Sequence, residues 1–191
     1  MCPVTPTIRP GSRSSFGRQG DPATAFEYTF HFFWGLEDII SVFTGMWDVV
    51  DTNKVVGALW PNDPDGNAWG DPKLGFPPVM VEKGYELVDT GRFQSMTDDF
   101  SAQISAFKAA GVEIVTGVVV PPDFTTFWTQ AAQQGFNPRV VNVAKVSEFP
   151  QAMSALGDRT EGLSVDVWWS PHYPYPRCLR IQLRPRDTAD L

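Results

Sequence analysis

Two cysteines and two histidines in 191 residues leave little material for thiol or metal chemistry. Cys2 and Cys178 share no metal-ligand spacing, and neither His31 nor His172 stands beside a serine or cysteine in a nucleophile-elbow setting. Positive charge is scarce as well. With 15 Lys and Arg against 22 Asp and Glu, the chain carries −7, the wrong sign for neutralising nucleic-acid phosphates. No apolar run reaches transmembrane length. The start, Met1-Cys2-Pro3-Val4-Thr5-Pro6, lacks the basic-then-apolar layout of a signal peptide, so the chain as written reads as cytosolic. No Gly-x-Gly-x-x-Gly follows the first apolar strand, and no Walker-type lysine loop is present. Those absences set an enzyme reading aside and imply no cofactor.

Apolar residues make up 42% of the chain, enough to bury a core of ordinary size. Three zones emerge. Residues 1–24 are rich in Pro, Gly and Ser with few large apolar groups, which reads as a flexible arm. Residues 177–191 gather Arg177, Arg180, Arg184 and Arg186 into a basic tail. Between them, residues 25–176 alternate apolar strands with amphipathic helices.

Leu36, Ile39, Ile40, Phe43, Met46, Trp47 and Val50 recur at spacings of three and four, predicting one helix from Gly35 to Asp51. Strands are predicted at Lys54–Trp60, Tyr85–Val88, Glu113–Val120, Arg139–Ala144 and Leu163–Trp168. The segment Pro61–Asn67 reads as a polar turn, and Gly70–Lys83 as a helix whose proline-rich first half is loop. Thr97 is expected to cap a helix over Asp98–Ala110, with Asp98 and Asp99 at its positive end and Gly111 closing it. Pro121 and Pro122 are expected to end the third strand, with a helix from Asp123 or Thr125 to Gln134. Phe149–Leu156 is predicted as a short helix. Five strands separated by helices give a doubly wound, three-layer α/β/α parallel sheet.

Several tracts carry a resemblance: Val55-Val56-Gly57-Ala58-Leu59-Trp60 with Asp65-Gly66-Asn67, Gly84-Tyr85-Glu86-Leu87-Val88, and Thr97-Asp98-Asp99-Phe100-Ser101-Ala102-Gln103-Ile104. With Phe107–Val112, Phe124–Gly135 and Gly157–Leu163, they resemble the second lobe of the branched-chain amino-acid type of periplasmic substrate-binding protein of ABC importers. The resemblance implies a Rossmann-like lobe of the type I periplasmic binding fold, an extracytoplasmic location and an ABC permease partner. It also implies that the ligand is a small molecule, such as an amino acid or a related amine or amide. Members have two lobes closing on the ligand by a hinge, and almost nothing of the first lobe is recognisable here. The expectation is therefore a second lobe only, from a truncated or frameshifted gene, with a non-functional fragment or self-associating module as the alternative.

In an open α/β sheet the ligand lies outside the carboxyl ends of the strands. That places Asp63, Asp65, Asn67 and Trp69 after the first strand, Asp123 and Phe124 after the third, and Lys145 with Phe149 after the fourth at the expected cleft. Asp65 or Asp123 would hold a ligand ammonium, and Trp69 or Phe124 would pack an apolar portion or stack on a cation. Asp63, Asp65 and Asn67 are also ordinary turn formers. A calcium loop is not expected there, because Ala68 and Leu74 occupy the positions of its glycine and closing glutamate. The aromatic runs Phe30–Trp34 and Trp168–Tyr175 are expected to be exposed patches, joining two copies into a homodimer by exchange of the Ala25–Trp34 arm.

Overall fold

The computed structural model describes residues 35–148 and 150–166. The 1–24 arm, the Ala25–Trp34 segment, Phe149, the Trp168–Tyr175 run and the 177–191 tail, with the self-association expected of them, lie outside the described residues.

Helix α1 (Leu36–Trp47) leads into β1 (Val55–Pro61), followed by α2 (Pro64–Trp69), α3 (Phe76–Lys83), β2 (Glu86–Phe93), α4 (Ser101–Ala110) and β3 (Ile114–Val118). Then come α5 (Pro121–Gln133), β4 (Val140–Ala144), α6 (Pro150–Leu156), a 3-10 turn (Gly157–Thr160) and β5 (Leu163–Ser164). The five strands are all parallel, in the order β2-β1-β3-β4-β5. The expected doubly wound α/β sheet is the fold.

Alternation along the strands divides the core into two layers. Val56, Ala58 and Trp60 of β1 pack with Ile114, Val118, Val140 and Ala144 under α1, α2 and α3. Leu59, Val115, Val141 and Val143 face α4, α5 and α6 through Ile104, Phe107, Phe124, Phe127 and Leu156. Because successive strand side chains point to opposite faces, strands this apolar need cover on both sides, and the helices provide it.

Local chemistry accounts for several differences from the expected elements. The segment read as a turn folds into α2, because Pro64 starts it without needing an amide partner and Asp63 Oδ1 accepts the Gly66 N–H at 2.8 Å. Gly66 is required there: a Cβ at that position would lie 2.0 Å from the Pro61 carbonyl oxygen, so only glycine lets α2 seat directly on the end of β1. Pro121 and Pro122 occupy the first turn of α5 and begin the helix, which corrects the expected start at Asp123 or Thr125. Thr97 does not cap α4. The helix begins at Ser101, and the Phe100 N–H donates to Gln130 Oε1 of α5 at 2.8 Å. Helix α1 stops at Trp47, so Val50 falls beyond its end, and Met46, although inside the helix, is exposed as Val50 is rather than in the core. Gly111 and Gly135 end α4 and α5 as expected, both with positive φ.

Candidate functional site

The sheet changes winding direction at β1. The chain moves outward to β2 on one side and to β3 on the other, so the carboxyl ends of β1 and β3 flank a topological switch point. Helix α2 caps the β1 end. Lys145 follows β4 directly, and its ammonium donates to Asp65 Oδ2 of α2. This ion pair joins the ends of β1 and β4 across β3, with both side chains partly exposed. Lys145 adopts φ of +71°, a left-handed backbone that costs a side-chain-bearing residue about 1 kcal/mol or more and is held where the surroundings impose it.

The other candidates divide into three groups. Asp63 caps α2, and Asn67 Oδ1 accepts from Arg92 Nε at 3.3 Å. Both line an open depression of about 580 Å³, shared with Asn62, Pro64, Asp71 and Leu74, on the α2 side of the edge. Asp123 is turned inward. Its oxygens accept the Met96 N–H at 2.9 and 3.0 Å, tethering the loop after β2, while burial pushes its carboxyl above the ordinary range against that bond.

Trp69 and Phe124 do not line the cleft, which corrects their expected stacking role. Trp69 is 1% exposed, edge-on to Phe43 and tilted against Phe76, and Phe124 is fully buried and stacked on Trp128. Both sit after strands as expected, but each belongs to a helix whose inward face they occupy.

Two carboxylates that sequence reasoning passed over stand beside Lys145. Glu148 lies three residues on and takes a hydrogen bond from the Lys145 backbone; Asp166 lies just past β5. The pairing Asn142↔Ser164 carries Asp166 to the level of the β4 end. Burial, and then mutual repulsion with Asp166, raise the Glu148 carboxyl, partly offset by Lys145. Burial raises Asp166, against its own backbone amide and Lys145. The available signal was a lone acid inside the predicted apolar strand Leu163–Trp168, where Asp166 stands between Val165 and Val167.

Comparison with known proteins gives the same architecture. The profile of the family described as periplasmic binding protein matches residues 5–183. A leucine-binding protein from Thermotoga maritima superposes with a TM-score of 0.53 at 21% identity, over 65% of this chain and 34% of its own length. A branched-chain amino-acid ABC transporter protein from Thermus thermophilus, solved with bound valine, gives 0.54 at 20% identity, over 67% and 32%. A fatty-acid ABC transporter substrate-binding protein from Thermomonospora curvata gives 0.52 at 16% identity, over 67% and 33%. The chain thus spans about a third of the length of these solved structures. No curated protein matches it.

Proposed function

The chain belongs to the periplasmic binding protein family, and on that premise we propose that it is one ligand-binding lobe of an ABC importer's substrate-binding protein, working outside the cytoplasm with an ABC permease. Its ligand is an amino acid or a related small amine or amide. The reading rests chiefly on one observation: the Asp65–Lys145 pair gathers opposite charges at the carboxyl edge of an all-parallel sheet, beside its switch point. Asp65 and Lys145 are the charged contacts, with Asp63 and Asn67 on the rim.

Such a site binds and releases, with no bond made or broken. In this reading a facing lobe supplies the rest of the contact shell, and hinge closure buries the ligand between the two. This lobe alone therefore holds its ligand weakly. Calorimetric titration of the 191-residue chain with valine, small amides and aromatic acids at millimolar concentration tests the reading. Saturable heat with at least one of them, lost in Asp65→Ala while the fold persists, is the expected result. Absence of heat with every ligand overturns it.

A further inference from the structure

Helix α1 is apolar on two sides. Leu36, Ile39, Ile40, Phe43 and Trp47 turn inward and are buried in the layer shared with α2 and α3. Val42, Met46 and Val49 recur at spacings of four and three on the opposite side, 43%, 38% and 83% exposed, with Val50 beside them. The chain keeps turning past the helix end, where the Val49 N–H donates to the Met46 carbonyl and the Val50 N–H to the Trp47 carbonyl. Four of the seven large apolar side chains that stand exposed among the described residues lie on this one surface. Single exposed apolar side chains are ordinary, but a contiguous stripe on a helix that is apolar all round marks a surface that is covered in use.

Gly45 stands within the stripe. Glycine is the poorest helix former after proline, yet nothing in the fold requires it here. Its φ is not positive, and among the described residues a Cβ at Gly45 would meet no atom within 4 Å. The missing side chain leaves a notch next to the projecting Met46.

A second copy of the same stripe fits this surface. With two α1 helices antiparallel about an axis between residues 45 and 46, Met46 of each copy enters the notch over Gly45 of the other, and Val42 of each meets Val49 of the other. The ends agree in charge. Glu37 and Asp38 make the first turn acidic, whereas at the far end Lys83 bonds Asp48 and Lys54 stands over the Tyr85 ring, with Asp51 between. A parallel pairing would set the two acidic turns against each other; the antiparallel one sets each beside two lysines and aligns the helix dipoles favourably. We infer that the outer face of α1 is a self-pairing surface, on which two copies of this chain dock antiparallel through Val42, Gly45, Met46 and Val49. The stripe lies on the flank of the sheet and leaves its carboxyl edge open, so the pairing does not depend on the ligand reading.

The test is sedimentation velocity of the full chain across a concentration series, with Gly45→Gln and Val49→Lys beside the wild type. A wild-type dimer is expected, with its dissociation constant raised about tenfold or more in each variant, the effect of a clash or a charge in the packed centre of an interface. Gly45→Gln gives a readout that a purely structural role would not. Its thermal midpoint, taken where the chain is monomeric, should rise, because a good helix former replaces glycine at an open position. The register is tested with Cys2→Ser and Cys178→Ser in the background: Val42→Cys and Val49→Cys chains mixed together should oxidise to a linked pair that neither forms alone. A wild-type monomer at every concentration, a dimer that either variant leaves unchanged, or linkage formed as readily by one cysteine variant alone overturns the inference. So does a lower midpoint for Gly45→Gln, which would show that the chain itself fills the notch.

Discussion

Residue type alone does not say whether an aromatic next to a cleft touches the ligand. Trp69 follows a strand at the carboxyl edge, where a stacking residue would be expected, yet its ring is enclosed by Phe43, Trp60 and Phe76. Trp69→Ala should therefore cost about 3–5 kcal/mol of stability, the usual cost of removing a buried tryptophan, and denaturant unfolding measures it. A small stability change accompanied by lost ligand binding would return Trp69 to the site. Asp123 is a parallel case. Its position after the third strand was legible, but its engagement was not, because Met96 N–H comes from a loop 27 residues away. Local pattern identified acids at the strand ends; three-dimensional pairing decided which of them are occupied. Asp65 and Lys145, 80 residues apart, could be nominated singly but not as a pair.

At the scale of elements, the strand pattern was readable because buried parallel strands are near-continuous apolar runs. β1, β3 and β4 lie within a residue or two of the expected spans. β2 was cut short in the reading, since Asp89, Thr90, Gly91 and Arg92 dilute its apolar pattern on an edge strand. Helix starts were the least legible. Prolines that end strands also open helices, so Pro64 and Pro121 served as N-terminal residues where breaks were expected. The seat of α2 on β1 positions Asp65, and Gly66 permits it. Gly66→Ala should force the helix off the strand end at a cost of about 1–3 kcal/mol, measurable by chemical unfolding. It should weaken ligand binding as well, by moving Asp65 away from Lys145. Wild-type stability in that variant would contradict the close seating.

Across the whole molecule, polar chemistry separates by end. At the amino edge of the sheet, Tyr85 donates to Asp48 at 2.7 Å and Lys83 to the same carboxylate at 3.0 Å, a satisfied cluster that ties α1 to α3 and β2. Those bonds, from Tyr85 first, hold the Asp48 carboxyl below its ordinary range. Its contribution is complete above the unfolded value and is lost as pH falls through the depressed folded one. Burial, and then the Asp48 bond, raise the Tyr85 phenol. The unfolded chain ionises this phenol near pH ~10 while the folded chain keeps it neutral, so stability should fall as pH rises above about 10. Tyr85→Phe should lose that part of the alkaline decline, which thermal midpoints across alkaline pH would reveal; an unchanged slope would contradict the assignment.

The opposite edge holds the raised carboxylates Asp123, Glu148 and Asp166 with the Asp65–Lys145 pair, and it is there that the account places the ligand. The most direct measurement is amide chemical-shift mapping of the isotopically labelled chain during titration with valine. The account predicts saturable shifts concentrated at residues 62–67, 145–148 and 166, the ends of β1, β4 and β5. Shifts centred on Asp48 and Tyr85 at the amino edge, or none anywhere, would contradict it.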